Sequence, residues 1–299
     1  GVTVVLYRDR LSALAEALQN GTVQTVGFES SAVTVDFYNQ MKGRLPGIHL
    51  EPCTEEVERL RRTKDHTELA LILRAIEVSH EALKATLPLI RPGARERDIA
   101  VALEYGMRRL GAEDLAFPVI VATGPHAAQP HAEPGEGVIQ PGDGVTIDYG
   151  AVVGGYSSDE TCTILLDPVD PEMKRVYGIV REAHDRVIEA IRAGRSCRDL
   201  DGIARGVIEA AGYGEAFPHG TGHGVGLDVH EAPRLSPLSD AILEAGMVVT
   251  VEPGIYLPGR LGVRIEDMVL VEDDGCRVLT KTSKDMDMIK TMIGAGDCT

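Results

Sequence analysis

The chain has 299 residues, 43% of them hydrophobic, with a formal net charge of -16 and no tryptophan. That length can bury one sizeable core, or a large domain beside a small one. The acidity excludes the clustered basic face that nucleic acid or an anionic membrane surface needs, and with aromatics at 4% an aromatic-cage binder is not expected.

Five scattered cysteines without a C-x-x-C spacing read as a reduced, cytoplasmic protein. No apolar run approaches the length of a membrane span. Residues 1–58 form a short α/β segment, either short or truncated: 2–6 and 23–28 pattern as strands, 11–18 and 31–41 as helices, and there is no G-x-G-x-x-G. Thr54 is placed to cap one long helix over residues 55–87, where Leu60, Leu69, Ile72, Leu73, Ile76 and His80 recur at three and four residues. Ile90-Arg-Pro-Gly ends it, and a second helix over 96–110 stops at Gly111. A strand over 119–122 and a polar loop to Gly137 lead into a hairpin, 145–164, turning at Gly154-Gly155. Helices follow over 172–191 and 197–211, then a His- and Gly-rich loop, 217–235. A second hairpin, 248–268, turns at Pro258-Gly259 and precedes a strand over 268–272. The main domain is therefore expected over 59–285, with 286–299 a loosely ordered tail.

The order repeats. Ile90-Arg-Pro-Gly-Ala-Arg-Glu-Arg-Asp-Ile is answered by Ile191-Arg-Ala-Gly-Arg-Ser-Cys-Arg-Asp-Leu, and Thr123-Gly124 with His126 and His131 by Thr221-Gly222 with His223 and His230. Helix, helix, His loop and carboxylate hairpin occur twice, so two facing halves would bring both hairpins to one centre. Two copies are too few for a solenoid.

Pairing each hairpin about its turn puts Asp148 opposite Asp159 and Glu252 opposite Glu266. Facing carboxylates left unpaired would cost several kcal/mol. The first hairpin has no Lys or Arg, so a metal is the economical cation. Four carboxylates and an imidazole suit Mn, Co, Fe or Zn and can hold two divalent ions. His219, His223 and His230 lie within twelve residues and alternate with glycines, which let a backbone approach a ligand closely. One of them is expected to be a ligand and the others to handle protons. His131 is the matching residue of the first half, while His49, His66, His80 and His184 read as surface or helix-face residues.

The motifs IDYG, GGYSSDET, HGTGHGVGLDVHE, VEPGIY and GVRIED, in that order, resemble the prolidase and Xaa-Pro aminopeptidase branch of the pita-bread metallopeptidases. The resemblance covers about residues 55–285 and implies an α+β pita-bread catalytic domain with internal pseudo-two-fold duplication. It implies a homodimer with two divalent ions per chain, manganese first and cobalt or zinc next. It implies cleavage of the Xaa-Pro bond at the N-terminus of dipeptides or short proline-containing peptides by a metal-bridging hydroxide. By position, Asp148, Asp159, His223, Glu252 and Glu266 resemble the metal ligands, Asp159 and Glu266 bridging, and Glu252 doubles as a proton relay. His230 resembles the proton-handling residue at the scissile carbonyl and His131 the contact on the leaving side. His219 resembles a histidine of the proline pocket, Arg234 an anchor for the substrate carboxylate, and Arg264 a support for Glu266. Creatinase shares the fold without the metal set, so the five filled positions disfavour it. The alternatives are a methionine aminopeptidase and an inactive, metal-binding member acting as a binding module. Thr161-Cys162-Thr163 departs from the family's usual Thr-Arg-Thr and puts a reactive thiol near the expected metal.

Overall fold

The computed structural model describes residues 4–19 and 22–286. The chain divides into two compact units, Gly1–Arg59 and Leu60–Thr299. Most of the expected tail, from residue 287 on, lies outside the described residues.

The first unit holds helix α1 (Arg10–Gln19), strand β1 (Thr25–Glu29), helix α2 (Val35–Arg44) and strand β2 (His49–Cys53), with β1 and β2 parallel. Thr34 caps α2 by accepting from the Phe37 N–H at 3.2 Å, and Leu11, Met41 and Leu45 form a small core. The expected first strand is absent over its described part: Val4, Val5 and Leu6 are exposed and irregular.

The long helix expected over 55–87 is two, α3 (Glu56–Arg62) and α4 (His66–Thr86). The break has a local cause. Asp65 accepts from the N–H groups of Thr67 (2.7 Å) and Glu68 (2.9 Å), while Glu68 accepts from the Asp65 N–H at 2.8 Å. That reciprocal capping box starts a new helix at residue 66. Helix α5 (Glu96–Arg109) packs on α4, where Gly106 allows an approach that leaves a Cβ only 3.2 Å from that of Ala82. Strands β3 (Asp114–Leu115), β4 (Ile120–Thr123), β5 (Gly144–Tyr149), β6 (Ala151–Val153), β7 (Tyr156–Ser157) and β8 (Glu160–Leu165) complete the first half. The second half repeats the plan with helices α6 (Pro171–Ala190) and α7 (Cys197–Ala210), capped by Asp170 and Ser196. Its strands are β9 (Gly222–Gly224), β10 (Glu231–Leu235), β11 (Val248–Val251), β12 (Gly254–Leu257), β13 (Leu261–Arg264), β14 (Asp267–Val271) and β15 (Cys276–Val278).

Each helix pair buries its apolar stripe on the sheet of its own half. Val78, Leu83, Ile99 and Leu103 meet Val121, Ile147 and Ile164 of the sheet β4-β5-β8. Val180 and Leu200 meet Val249 and Val269 of the sheet β10-β9-β11-β14-β15. Among the described residues no helix is long and apolar enough to cross a membrane.

The two hairpins differ from expectation in an instructive way. The Gly154-Gly155 turn is real, and the Glu113 carboxylate accepts from both of its N–H groups. A two-residue turn there pairs Val153 with Tyr156, and the same register carries Asp148 opposite Thr161, not Asp159. Asp159 lies in the break between β7 and β8, a diagonal neighbour of Asp148 on the same face. In the second hairpin the ladders on both sides of the break, Val251 with Asp267 and Gly254 with Arg264, keep Glu252 opposite Glu266.

Candidate metal centre

Five side chains converge on a cavity of about 420 Å³. Asp148 comes from β5, Asp159 from the break before β8, His223 from β9, Glu252 from the residue after β11 and Glu266 from the residue before β14. Both halves therefore contribute side chains to it. One donor atom each from Asp159, His223 and Glu266 lie within 4.8 Å of one another. His223 Nε2 is 3.3 Å from Glu252 Oε1 and 3.6 Å from Asp159 Oδ2. Asp148 Oδ1, also buried, has no hydrogen-bond partner among the described residues.

This donor set fits a divalent cation. A backbone carbonyl can only accept, so His223 Nδ1 carries the proton it donates to the Gly224 oxygen at 3.1 Å. Its Nε2 therefore points a lone pair at two carboxylates. Burial, with the neighbouring His230, pushes the His223 pKa down to about 3, so protonation does not relieve the conflict. Burial first, and the mutual repulsion of the carboxylates next, hold Asp159 and Glu266 well above the usual carboxylate range, and burial lifts Glu252 to about 7. A ring of acceptors facing inward is stable with a cation at its centre.

Buried Arg264 organises one edge. Its Nη2 donates to Asp148 Oδ2 at 2.7 Å, Nη1 to the Tyr256 hydroxyl at 2.9 Å and to the Pro130 carbonyl at 3.1 Å, and Nε to Thr161 Oγ1 at 3.1 Å. The expected support of Glu266 by Arg264 runs through Thr161, whose hydroxyl donates to Glu266 Oε2 at 2.6 Å. His219 Nδ1 donates to the Gly220 carbonyl at 2.8 Å, so Nε2 accepts from Tyr256 at 2.9 Å. Both ring nitrogens of His219 are taken, and burial lowers its pKa to about 4. What this histidine offers the cavity is carbon.

The His230 ring lies 4.4 Å from that of His223, inclined at 63°. Partial burial, then the Arg234 charge, lower its pKa. Glu231, the next residue, is anchored from behind: Arg61 Nη2 donates at 2.5 Å and Lys64 Nζ at 3.0 Å, and Arg61 also reaches Asp228 at 2.6 Å. His131 and Arg234 are exposed on the cavity wall, and Arg234 is the register partner of His223.

Sequence reasoning missed two buried carboxylates that shape the His loops. Glu96 accepts from the N–H groups of Thr123 (2.8 Å) and Gly135 (3.2 Å) and pairs with His126 at 2.9 Å. Asp201 accepts from the Thr221 N–H (3.0 Å) and hydroxyl (2.9 Å) and from Arg205 at 2.6 Å. Each sits in a helix whose apolar stripe masks it, so the periodic pattern carries no signal for either. Two further expectations are corrected. His184 is not a surface residue: at 2% exposure it lies between Asp185 (2.9 Å) and Asp267 (3.1 Å). Cys162 faces away from the centre, opposite Ile147, because strand residues alternate between faces. Burial raises its thiol to about 12, so it is inert.

Comparison with known proteins agrees with this geometry. Residues 70–273 match the model of metallopeptidase family M24 and residues 2–63 that of the creatinase/prolidase N-terminal domain. The Xaa-Pro dipeptidase of Pyrococcus furiosus is 38% identical over 277 residues, 93% of this chain and 79% of the relative. The solved Xaa-Pro dipeptidase of Bacillus anthracis is 41% identical with a TM-score of 0.90, covering 92% of this chain and 78% of that one. The X-Pro aminopeptidase of Thermotoga maritima is 37% identical with a TM-score of 0.87, covering 94% and 80%. A creatinase-type amino-terminal unit, a duplicated pita-bread catalytic unit and a carboxylate-histidine centre together place the chain in metallopeptidase family M24, among the Xaa-Pro dipeptidases and X-Pro aminopeptidases.

Proposed function

We propose that this metallopeptidase cleaves the Xaa-Pro bond at the N-terminus of dipeptides and short peptides. The observation that carries the reading is the inward-facing His223 lone pair among Asp159, Glu252 and Glu266, with Asp148 Oδ1 unpartnered beside them. Two divalent ions held by these five residues, manganese first and cobalt or zinc next, supply a water nucleophile at neutral pH and polarise the scissile carbonyl.

The chain's own groups do the rest. The acidic centre receives the substrate's free amino group. Glu252 takes a proton from the attacking water and passes it to the leaving nitrogen. Neutral His230 donates a hydrogen bond to the carbonyl oxygen as charge develops there. His131 meets the leaving side. An Xaa-Pro bond has no N–H, so its pocket needs no acceptor and gains from apolar surface. His219, with both nitrogens occupied, and Phe117 and Pro118 on the same wall supply such surface. Arg234, exposed at the cavity wall, pairs with the carboxylate that a dipeptide presents after proline. That favours dipeptides over longer substrates. A cytoplasmic homodimer, without nucleic-acid or membrane partners, completes the proposal.

The test is hydrolysis of Xaa-Pro dipeptides, Xaa-Pro-Yaa tripeptides and a Met-Ala peptide by metal-stripped protein with Mn²⁺ or Co²⁺ added back. Dipeptide cleavage at least tenfold above the others is expected, with Arg234→Ala erasing that preference. Release of methionine alone, or no metal-dependent cleavage at all, overturns the proposal.

A further inference from the structure

Behind the metal centre lies a second junction of charges. Strand alternation turns the residue after each of two proposed ligands to the opposite face. Asp159 is followed by Glu160 and Glu266 by Asp267, and both followers are buried, at 1% and 6% exposure. They belong to different halves: Glu160 opens β8 and Asp267 opens β14. Between those strands the backbone is linked by the Glu266 N–H donating to the Thr161 carbonyl at 3.1 Å. The two buried acids are joined by one cation. Lys284 Nζ donates to Glu160 Oε1 at 2.7 Å and lies 3.2 Å from Asp267 Oδ1. Its side chain is 6% exposed.

We propose that Lys284 is a positioning residue for the metal centre: its ammonium holds Glu160 and Asp267 together behind the seam and so fixes the separation of Asp159 and Glu266 in front of it. The inference rests on the reading that Asp159 and Glu266 bind metal. The geometry gives Lys284 little freedom. The segment around it is fastened by the Thr282 N–H to Glu160 (3.0 Å), by the Tyr177 hydroxyl to the Lys284 carbonyl (3.0 Å), and by Arg181 to the same carbonyl. The two acids are held by other groups as well: Glu160 Oε2 accepts from the Tyr149 hydroxyl at 2.8 Å, Asp267 Oδ1 accepts also from Thr280 at 2.5 Å, and Asp267 Oδ2 lies 3.1 Å from His184 Nε2. Removing the cation takes away the ammonium that bridges Glu160 and Asp267 and so holds the strand ends carrying Asp159 and Glu266 at their spacing; the repulsion of the two carboxylates adds to the parting, with His184 Nε2 still 3.1 Å from Asp267 Oδ2. An ion in front then has to close a gap that Lys284 otherwise holds shut, and its affinity falls.

The experiment is calorimetric titration of Mn²⁺ into metal-stripped protein, with the melting temperature of the metal-free protein recorded alongside. Lys284→Met is expected to weaken Mn²⁺ binding at least tenfold, and Lys284→Arg, which keeps the cation, to recover most of the loss. The double variant Glu160→Gln with Lys284→Met removes the repulsion together with the strap. It is expected to melt close to wild type and still bind Mn²⁺ at least tenfold more weakly, and the decision rests on it if Lys284→Met alone does not fold. Wild-type affinity in the double variant overturns the proposal. So does an affinity that tracks the melting temperature across the variants, because a purely stabilising lysine would behave that way. Wild-type protein that takes up no Mn²⁺ would instead remove the metal reading beneath it.

Discussion

His223 and His230 sit ring to ring, yet the fold gives them different tasks. The Gly224 carbonyl fixes the tautomer of His223, which leaves Nε2 to a metal, while His230 stands exposed toward the cavity. Their replacement should separate binding from turnover. His230→Ala is expected to leave bound metal unchanged and to lower kcat by about 10²–10⁴-fold, the usual worth of one proton-handling group. Asp159→Asn, which takes a charge from the centre, is expected to lose at least one metal equivalent per chain in elemental analysis. Full activity in the first variant, or full metal content in the second, would contradict the assigned roles. The Arg264 contacts show how a proposed metal ligand can coexist with a guanidinium: Asp148 Oδ2 accepts from Arg264, while Oδ1, without a hydrogen-bond partner among the described residues, is left for the proposed ion.

At the level of elements, backbone contact sets the tolerances. A Cβ on Gly222 would lie 2.0 Å from the Thr250 carbonyl oxygen, so β9 approaches β11 at a distance only glycine permits. Gly222→Ala should push His223 off its neighbours, costing about 1–3 kcal/mol by overpacking and weakening metal binding. A thermal melt together with a Mn²⁺ titration checks both. The same scale shows what was legible in the sequence. Helix periodicity and glycine stops located α5 through α7 and the end of α4 to within a few residues, and the five proposed ligands of the motifs do line one cavity. The Gly154-Gly155 turn was visible, but the register through it was read two residues out, because a turn residue counts in the loop and not in the ladder. The split between α3 and α4 was missed although Asp65 and Glu68 spell a capping box, since the apolar stripe continues across it. Glu96, Asp201 and Lys284 were invisible for another reason. Each makes a contact far away in sequence, Glu96 with Thr123, Asp201 with Thr221 and Lys284 with Glu160, and no local pattern reports such a pairing.

Across the whole molecule, buried charge is arranged in two linked layers, the metal centre and the cluster behind it. His184 belongs to the second layer. Burial pulls its imidazole down, but the hydrogen bond to Asp185 and the Asp267 carboxylate 3.1 Å from Nε2 outweigh that and raise its pKa above the ordinary histidine value. A base with a raised folded-state pKa contributes stability that is fully present below its unfolded value, about 6.5, and is lost as pH rises through the higher folded one. The melting temperature should therefore decline above about pH 6.5, and more steeply than in His184→Gln; parallel slopes for the two proteins would remove His184 from the account. The cluster also bears on how much of this enzyme is transplantable. The M24 match, residues 70–273, contains all five proposed ligands. It leaves out Arg61 and Lys64, which anchor Glu231 beside His230, and Thr280, Thr282 and Lys284, which close the seam from behind. A fragment cut at the family boundaries would carry every proposed ligand and Arg264, but neither the cations behind Glu231 nor the lysine behind the seam. The smallest inheritable module is therefore longer than its signature, reaching back to Leu60 and on past Lys284.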